Sequence, residues 1–73
     1  MTRHERATEK RAVGRLKALS ALQAARSRAQ FAMDVYLAGE TTWSKVIRER
    51  EARDTAAAKW GKAWTRDWLA TGR

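Results

Sequence analysis

The amino-acid sequence predicts an all-α fold, and three observations support this class. The chain of 73 residues has no proline and no cysteine, and it is rich in alanine and arginine, which favour helices. Apolar side chains recur every three or four residues along most of the chain, which is the period of one helix face. Three of the four tryptophans stand four residues apart. We predict a small bundle of about three helices with a basic N-terminal arm, the helices spanning roughly 15–37, 42–53 and 54–69.

The tryptophan segment carries the largest apolar side chains of the predicted bundle. A spacing of four residues places Trp60, Trp64 and Trp68 on nearly one face of a helix. Each aromatic ring can bury roughly 150–250 Å². We therefore expect Trp60 and Trp64 to lie in the core, where Trp43 and Ile47 join them. Three cations form a stripe on the opposite face of this helix: Lys59, Lys62 and Arg66.

Residues 15–37 carry the apolar stripe that is expected to pack against the tryptophans. The stripe falls within an arc of about 140°, the width of a core-facing helix surface. Its members are Leu19, Leu22, Ala25, Ala29, Ala32, Met33, Tyr36 and Leu37. Phe31 and Val35 fall outside the arc, which predicts that a second side of this helix end is also covered.

Local signals set the predicted helix ends. Gly39 is expected in the left-handed conformation that follows a helix end, and Thr41 or Thr42 is expected to cap the next helix. Asp54 or Thr55 is expected to be the N-cap of the third helix, so we place a break near Arg53. No glycine or proline enforces a break there, so a single helix over 42–69 remains an alternative.

The predicted domain organisation is a flexible basic arm over 1–13 and a single helical domain over 14–70. The arm has almost no apolar stripe, so it has little surface to bury. Gly14 interrupts the helical pattern at up to about 1 kcal/mol relative to alanine, and we place the start of ordered structure there. A chain of this size is expected to fold with only about 3–5 kcal/mol of stability. Residues 71–73 are expected to fray.

The charge is strongly basic and unevenly distributed. The formal net charge is +8 and the pI is about 11.2. Residues 1–17 hold six cations against two carboxylates, residues 18–41 two against two, and residues 42–73 eight against four. Such a field attracts polyanions, either nucleic acid or an acidic protein surface. Solubility alone is the alternative interpretation of this charge.

The sequence has no recognisable catalytic or metal-binding pattern. Its single histidine, His4, stands beside no nucleophile and no second ligand at a metal spacing. The four glycines are scattered and form no phosphate-binding loop. We therefore predict a binding protein that is not an enzyme and has no cofactor and no metal. No apolar run approaches the roughly 20 residues that span a bilayer, so we expect no membrane partner and a cytoplasmic location.

A DNA-binding helix-turn-helix is one interpretation of the basic helices. It would use the segments around Trp43 and Trp60, with Lys59, Lys62 and Arg66 on the recognition helix. That face offers mainly lysines, which suit phosphate better than base edges.

RNA binding by the N-terminal segment is a second interpretation. The stretch RHERATEKRA, residues 3–12, resembles the arginine-rich RNA-hairpin helix of the lambdoid phage antitermination N proteins in its Arg-Glu-Arg and Glu-Lys order. The resemblance implies that this segment binds RNA. Where those peptides stack an aromatic side chain on a base, this chain has Val13, Gly14 and Arg15. The candidate contacts to a partner or to RNA are Arg3, His4, Arg6, Lys10, Arg11 and Arg15.

A third interpretation covers the whole chain. In length, in its helical composition without proline or cysteine, in basic charge and in Arg/Ala bias, it resembles the small RNA-polymerase-binding antitermination and inhibitor proteins of lytic Xanthomonas phages. The resemblance implies binding to the β′ N-terminal region of bacterial RNA polymerase near the RNA exit channel. It also implies inhibited initiation at host promoters and readthrough of intrinsic terminators. We expect a monomer in the host cytoplasm. The sequence leaves open whether nascent RNA is contacted directly.

Overall fold

Two long helices joined by a short loop make up the structure, a computed structural model that describes residues 2–71. Helix α1 is Arg3–Leu37 and helix α2 is Trp43–Thr71. They pack side by side in opposite directions, and the molecule measures 55 × 20 × 14 Å. The all-α class is confirmed, whereas the prediction of three helices is wrong. Met1, Gly72 and Arg73 lie outside the described residues, so the predicted fraying at 72–73 concerns a part of the chain that the structure does not describe.

Helix α1 begins well before the predicted start at residue 15. The hydroxyl of Thr2 accepts a hydrogen bond from the backbone N–H of Glu5 (3.2 Å), and the Glu5 carboxylate accepts one from the backbone N–H of Thr2 (3.2 Å). This capping box satisfies two amide groups that a helix start otherwise leaves unpaired. From Arg3 onward the predicted arm is therefore helical. Its mobility in solution stays a prediction.

Gly14 lies inside α1 and does not interrupt the helix. A guanidinium nitrogen of Arg66 lies 3.5 Å from the position that a Cβ at residue 14 would occupy. The glycine thus faces α2, and packing between the helices offsets its low helix propensity. The helix therefore runs through Gly14, and the start of well-ordered structure at this residue stays a prediction.

The loop between the helices follows the predicted signals. Gly39 has a φ of 78°, as predicted. Its N–H donates to the carbonyl of Tyr36 (2.9 Å), and the N–H of Glu40 donates to that of Val35 (3.0 Å). These two bonds form a Schellman motif, which closes the end of a helix. Thr42 caps α2, because its hydroxyl accepts a hydrogen bond from a backbone N–H three residues later (3.4 Å).

Replacing Gly39 with alanine is expected to lower the free energy of unfolding by about 1 kcal/mol, because a Cβ disfavours the left-handed conformation. Gly61 provides the matched control. It lies inside α2, and a Cβ there meets nothing within 4 Å, so Gly61→Ala should instead stabilise by up to about 1 kcal/mol. Urea unfolding followed by circular dichroism measures both changes. Changes of the same sign in the two variants would contradict this account of the loop.

Helix α2 runs without the predicted break near residue 53. Arg53 pairs with the Asp54 carboxylate at 3.0 Å, so this carboxylate interacts with a neighbouring side chain. No glycine or proline interrupts the chain between Trp43 and Trp60. The alternative of one helix is confirmed, and separate helices over 42–53 and 54–69 are wrong.

The core is a narrow seam of small side chains between the two helices. Its buried apolar members are Leu22, Ala25, Ala29, Ala32 and Val46. The centre of the predicted α1 stripe is thus confirmed, and the alanines let the helix axes approach closely. The end of the stripe is exposed, with Leu37 at 75% of its surface. Outside the arc, Phe31 is 69% exposed and Val35 is half-buried, so the prediction of a second covered side is wrong at Phe31.

The tryptophans do not form the core. Trp60 is half-buried, while Trp64 is 48% exposed, Trp68 60% and Trp43 44%. Ile47, which was predicted to join them, is also exposed. A hairpin has a single seam and no third layer, so side chains beside the seam stay partly in water. The expected burial of Trp64 is therefore wrong.

Candidate functional site

The single seam leaves the hairpin with two open flanks. One set of α1 residues recurs at helical spacing along one side: Ala12, Leu16, Leu19, Arg26, Gln30 and Met33. A second set recurs along the other side: Lys10, Gly14, Lys17, Ala21, Arg28 and Val35. We call the first side the aromatic flank and define it by Leu16, Leu19, Met33, Trp60 and Trp64. We call the second side the lysine flank and define it by Lys10, Lys17, Lys45 and Lys59.

The lysine flank brings together the two basic surfaces that the sequence analysis treated separately. Lys10 lines a groove beside Gly14, and Arg66 reaches the same glycine from α2. Lys59 lines the neighbouring groove against Ala21. Lys62 is exposed and, at three residues from Lys59, lies on the same side of α2. Cations of the predicted arm and of the predicted stripe therefore face the same side of the hairpin. They lie at its open end, which is the end opposite the loop.

The first turn of α1 projects beyond the described end of α2. Arg15 pairs with Asp67 and Arg28 with Glu49, and in antiparallel packing these two pairs set Thr71 level with a residue between about 6 and 11. The first turn of α1 therefore has no described α2 residue opposite it, and the next turns lie at the end of α2. Four of the predicted contact residues on these turns are exposed: Arg3, His4, Arg6 and Lys10.

Arg11 and Arg15 differ from the other predicted contact residues because both are half-buried. The Nη1 of Arg15 donates to Oδ2 of Asp67 at 2.7 Å. Its guanidinium carbon lies 5.0 Å from the centroid of the Trp64 ring, within the range of a cation–π contact. Arg15 therefore serves the packing of α1 on α2, and the structure does not present it as a free contact.

Asp67 is a buried charged residue that was not singled out among the candidate residues of the sequence. It is 2% exposed, and its second oxygen accepts a hydrogen bond from Nε of Arg66 at 3.1 Å. The carboxylate thus joins both helices at the open end. A signal was present in the sequence, because residues 56, 60, 63 and 67 recur at alternating four- and three-residue intervals, which places Asp67 on the seam face of α2.

A cluster of arginines on the aromatic flank was also missed. Arg26, Arg50 and Arg53 line one open groove, and Arg15 lines the next groove together with Trp60. Neither groove is lined by a carboxylate. Arg53 has Asp54 as a partner, but Arg26 and Arg50 form no ion pair with any residue in 2–71.

The described residues do not contain the turn that the helix-turn-helix interpretation requires. That turn was expected between Trp43 and Trp60, and α2 runs through both residues without interruption. Across residues 2–71, no three potential ligands of the His, Cys, Asp and Glu types cluster to hold a metal ion. Neither α1 nor α2, as far as each is described, is long and apolar enough to cross a membrane.

Comparisons with protein-family models, with curated proteins and with solved structures found no match. The two flanks of the hairpin are therefore the basis for assigning a function.

Proposed function

We propose that this chain is a phage-type transcription regulator that binds host bacterial RNA polymerase. It acts as a monomer in the host cytoplasm, at the β′ N-terminal region near the RNA exit channel. There it inhibits initiation at host promoters and promotes readthrough of intrinsic terminators. The choice of RNA polymerase as the partner rests on the resemblance of this chain, in size, composition and charge, to the small polymerase-binding proteins of lytic Xanthomonas phages. The observation that supports an action at the RNA exit is the group of lysines from both helices, Lys10, Lys17 and Lys59, that line the lysine flank away from the loop.

RNA that leaves the polymerase is a dense line of phosphates, which attracts a surface of clustered cations. On the lysine flank, Lys10 and Lys17 of α1 and Lys59 of α2 line adjacent open grooves. Lysine contacts phosphate as a mobile point charge and reads no base sequence. A factor that acts on many different transcripts needs contacts of this kind.

A basic RNA-binding protein is a second candidate, and the start of α1 favours it. Residues 3–12 are helical, and the first turn of α1 projects beyond Thr71. An arginine-rich helix of this kind can enter the groove of an RNA hairpin without help from a second protein. A gel shift with an RNA hairpin, in the absence of polymerase, separates this candidate from the first.

The test of the proposed function reverses one lysine from each helix on the lysine flank. Lys10→Glu with Lys59→Glu is expected to reduce readthrough at an intrinsic terminator at least ~10-fold, because it replaces attraction to RNA phosphates with repulsion. In vitro transcription with purified bacterial polymerase measures readthrough, and a pull-down measures binding.

The control for this test is Lys45→Glu with Arg48→Glu, which changes the charge equally at the loop end of the hairpin. Glu40 and Glu49 line the groove of Lys45, so this end of the flank is not part of the group formed by Lys10, Lys17 and Lys59 that is proposed to act on RNA. Readthrough with this variant should stay within about 2-fold of the unchanged chain. Equal loss in both variants would show that only net charge matters. If the unchanged chain does not bind polymerase, the proposed function is wrong.

A further inference from the structure

The grooves of the two flanks differ in the type of basic residue that lines them. The grooves of the aromatic flank are lined by four arginines and by no lysine: Arg15, Arg26, Arg50 and Arg53. The grooves of the lysine flank are lined by four lysines, together with Arg28. Arg28 has a carboxylate partner, Glu49, at 3.6 Å. Unpaired guanidinium groups are thus found on the side that also carries Trp60 and Trp64.

Arginine and lysine serve different kinds of contact. Arginine and tryptophan are enriched at the centres of protein–protein interfaces, whereas lysine is depleted there. The planar guanidinium binds a carboxylate through two parallel hydrogen bonds and loses little hydration on burial. By this chemistry the aromatic flank matches a protein partner and the lysine flank matches phosphate.

We infer that the aromatic flank is a docking surface for an acidic, amphipathic segment of another protein. Its apolar parts, Leu16, Leu19 and Trp64, would receive aliphatic side chains of that segment. Arg26 and Arg50 have no carboxylate of their own in residues 2–71, so they would pair with carboxylates of the partner. From Leu16 to Met33 the flank is about 25 Å long at the helical rise, which accommodates a partner helix of roughly 17 residues lying in the groove.

Two other occupants fit this surface less well. A second copy of the chain would bring another charge of +8 and oppose arginines with arginines, which is unfavourable. A nucleic acid could stack a base on Trp64, but the guanidinium of Arg15 lies over that ring, and Leu16, Leu19 and Met33 are aliphatic and offer no further stacking surface. An acidic peptide that also carries leucine or similar aliphatic side chains can pair with the arginines of the flank and pack against its aliphatic lining at the same time.

The class of partner follows from this flank alone, while its identification with polymerase rests on the proposed function. If both hold, the hairpin binds an acidic protein surface of the enzyme through the aromatic flank. The lysine flank then faces away from that surface and toward RNA.

An NMR titration of the ¹⁵N-labelled full chain tests the inference. The probe is a synthetic helix of roughly 17 residues with leucines on one face and glutamates on the other. The indole N–H signals of Trp60 and Trp64 are expected to shift, while the amide signals of Lys17 and Lys59 stay in place. No shift at millimolar peptide, or shifts confined to the lysine flank, would overturn the inference.

Two matched double variants locate the charge that matters in this titration. Arg26→Gln with Arg50→Gln removes the unpaired arginines, both exposed, and should weaken peptide binding at least ~10-fold. Lys17→Gln with Lys59→Gln removes the same charge from the lysine flank and should change binding by less than about 2-fold. Melting curves establish that both variants remain folded. An equal loss of peptide binding in the two variants would show that the peptide is attracted only by the net charge of the chain, and this would overturn the inference.

Two further probes exclude other ligands. A peptide with the same glutamates but serine in place of leucine should not bind, and equal binding of the two peptides would make the flank a general anion site. A single-stranded RNA should shift signals on the lysine flank, and a stronger effect on Trp64 than on Lys59 would overturn the inference. Purified polymerase is then tested with the same double variants. Failure of the unchanged chain to bind it would disprove the proposed function, while the peptide titration still decides the inference.

Discussion

Replacing Asp67 with alanine is expected to lower the free energy of unfolding by about 2–3 kcal/mol. The carboxylate is 2% exposed and accepts hydrogen bonds from Arg15 (2.7 Å) and Arg66 (3.1 Å). Its removal leaves the partly buried Arg15 without a counter-charge, which is the costly way to break such a pair. Because Arg15 retains 32% exposure of its side chain, the loss should fall below that of a fully buried pair. Thermal and urea unfolding measure it.

Asp54 supplies the control for this variant. Its carboxylate also contacts an arginine, at 3.0 Å, but its side chain is 70% exposed. Asp54→Ala should therefore change stability by less than about 1 kcal/mol, as exposed ion pairs do. Similar melting temperatures for the two variants would show that Asp67 does not join the helices as described.

Replacing Leu22 with alanine is the second change with a large expected effect. Leu22 is 4% exposed and has the largest side chain among the buried α1 residues, the others being alanines. Truncation removes apolar contact and leaves a cavity in the seam, which together cost about 2–5 kcal/mol. A hairpin expected to hold only about 3–5 kcal/mol would then be largely unfolded. Circular dichroism at 222 nm and its urea dependence measure the change.

The same substitution on the aromatic flank is the control for Leu22. Leu16 is 65% exposed, so Leu16→Ala removes few contacts and should cost less than about 1 kcal/mol. Equal losses at the two leucines would mean that the seam is not the main source of stability.

The sequence analysis predicted the regular parts of the fold. The period of Leu22, Ala25, Ala29 and Ala32 marked the buried face of α1, because helical geometry alone determines which positions share a face. Gly39 could be placed at the loop because its left-handed conformation is a local requirement. Each of these conclusions depended on residues close together in the chain.

The number of helices and the role of the tryptophans could not be predicted in this way. An aspartate such as Asp54 can cap the start of a helix or pair with a neighbouring cation inside one. The structure shows the second, because its carboxylate contacts Arg53. The burial of Trp64 depends on whether a third layer exists, which is a property of the whole fold. The size of a side chain predicts how much area it can bury and gives no information about whether anything covers it.

The candidate site was predicted only in part. Lys59, Lys62 and Lys10 were singled out from charge, but their position on one flank depends on the register of α1 against α2. That register is fixed by pairs such as Arg15 and Asp67, which are 52 residues apart in the chain. The cluster of arginines on the aromatic flank could not be predicted, because Arg26 belongs to α1 whereas Arg50 and Arg53 belong to α2.

The antiparallel register also determines the order in which the hairpin can assemble. The contact between Tyr36 and Trp43 closes only the short loop, whereas the pair of Arg15 and Asp67 spans 52 residues. Closing the longer span from an open chain costs about 2 kcal/mol more in loop entropy. Zippering from the loop outward avoids most of this cost, because each new turn adds to helices that are already aligned. We therefore expect the pair of Arg15 and Asp67 to form late and to open early, so that the two flanks lose their alignment at this end before the loop unravels.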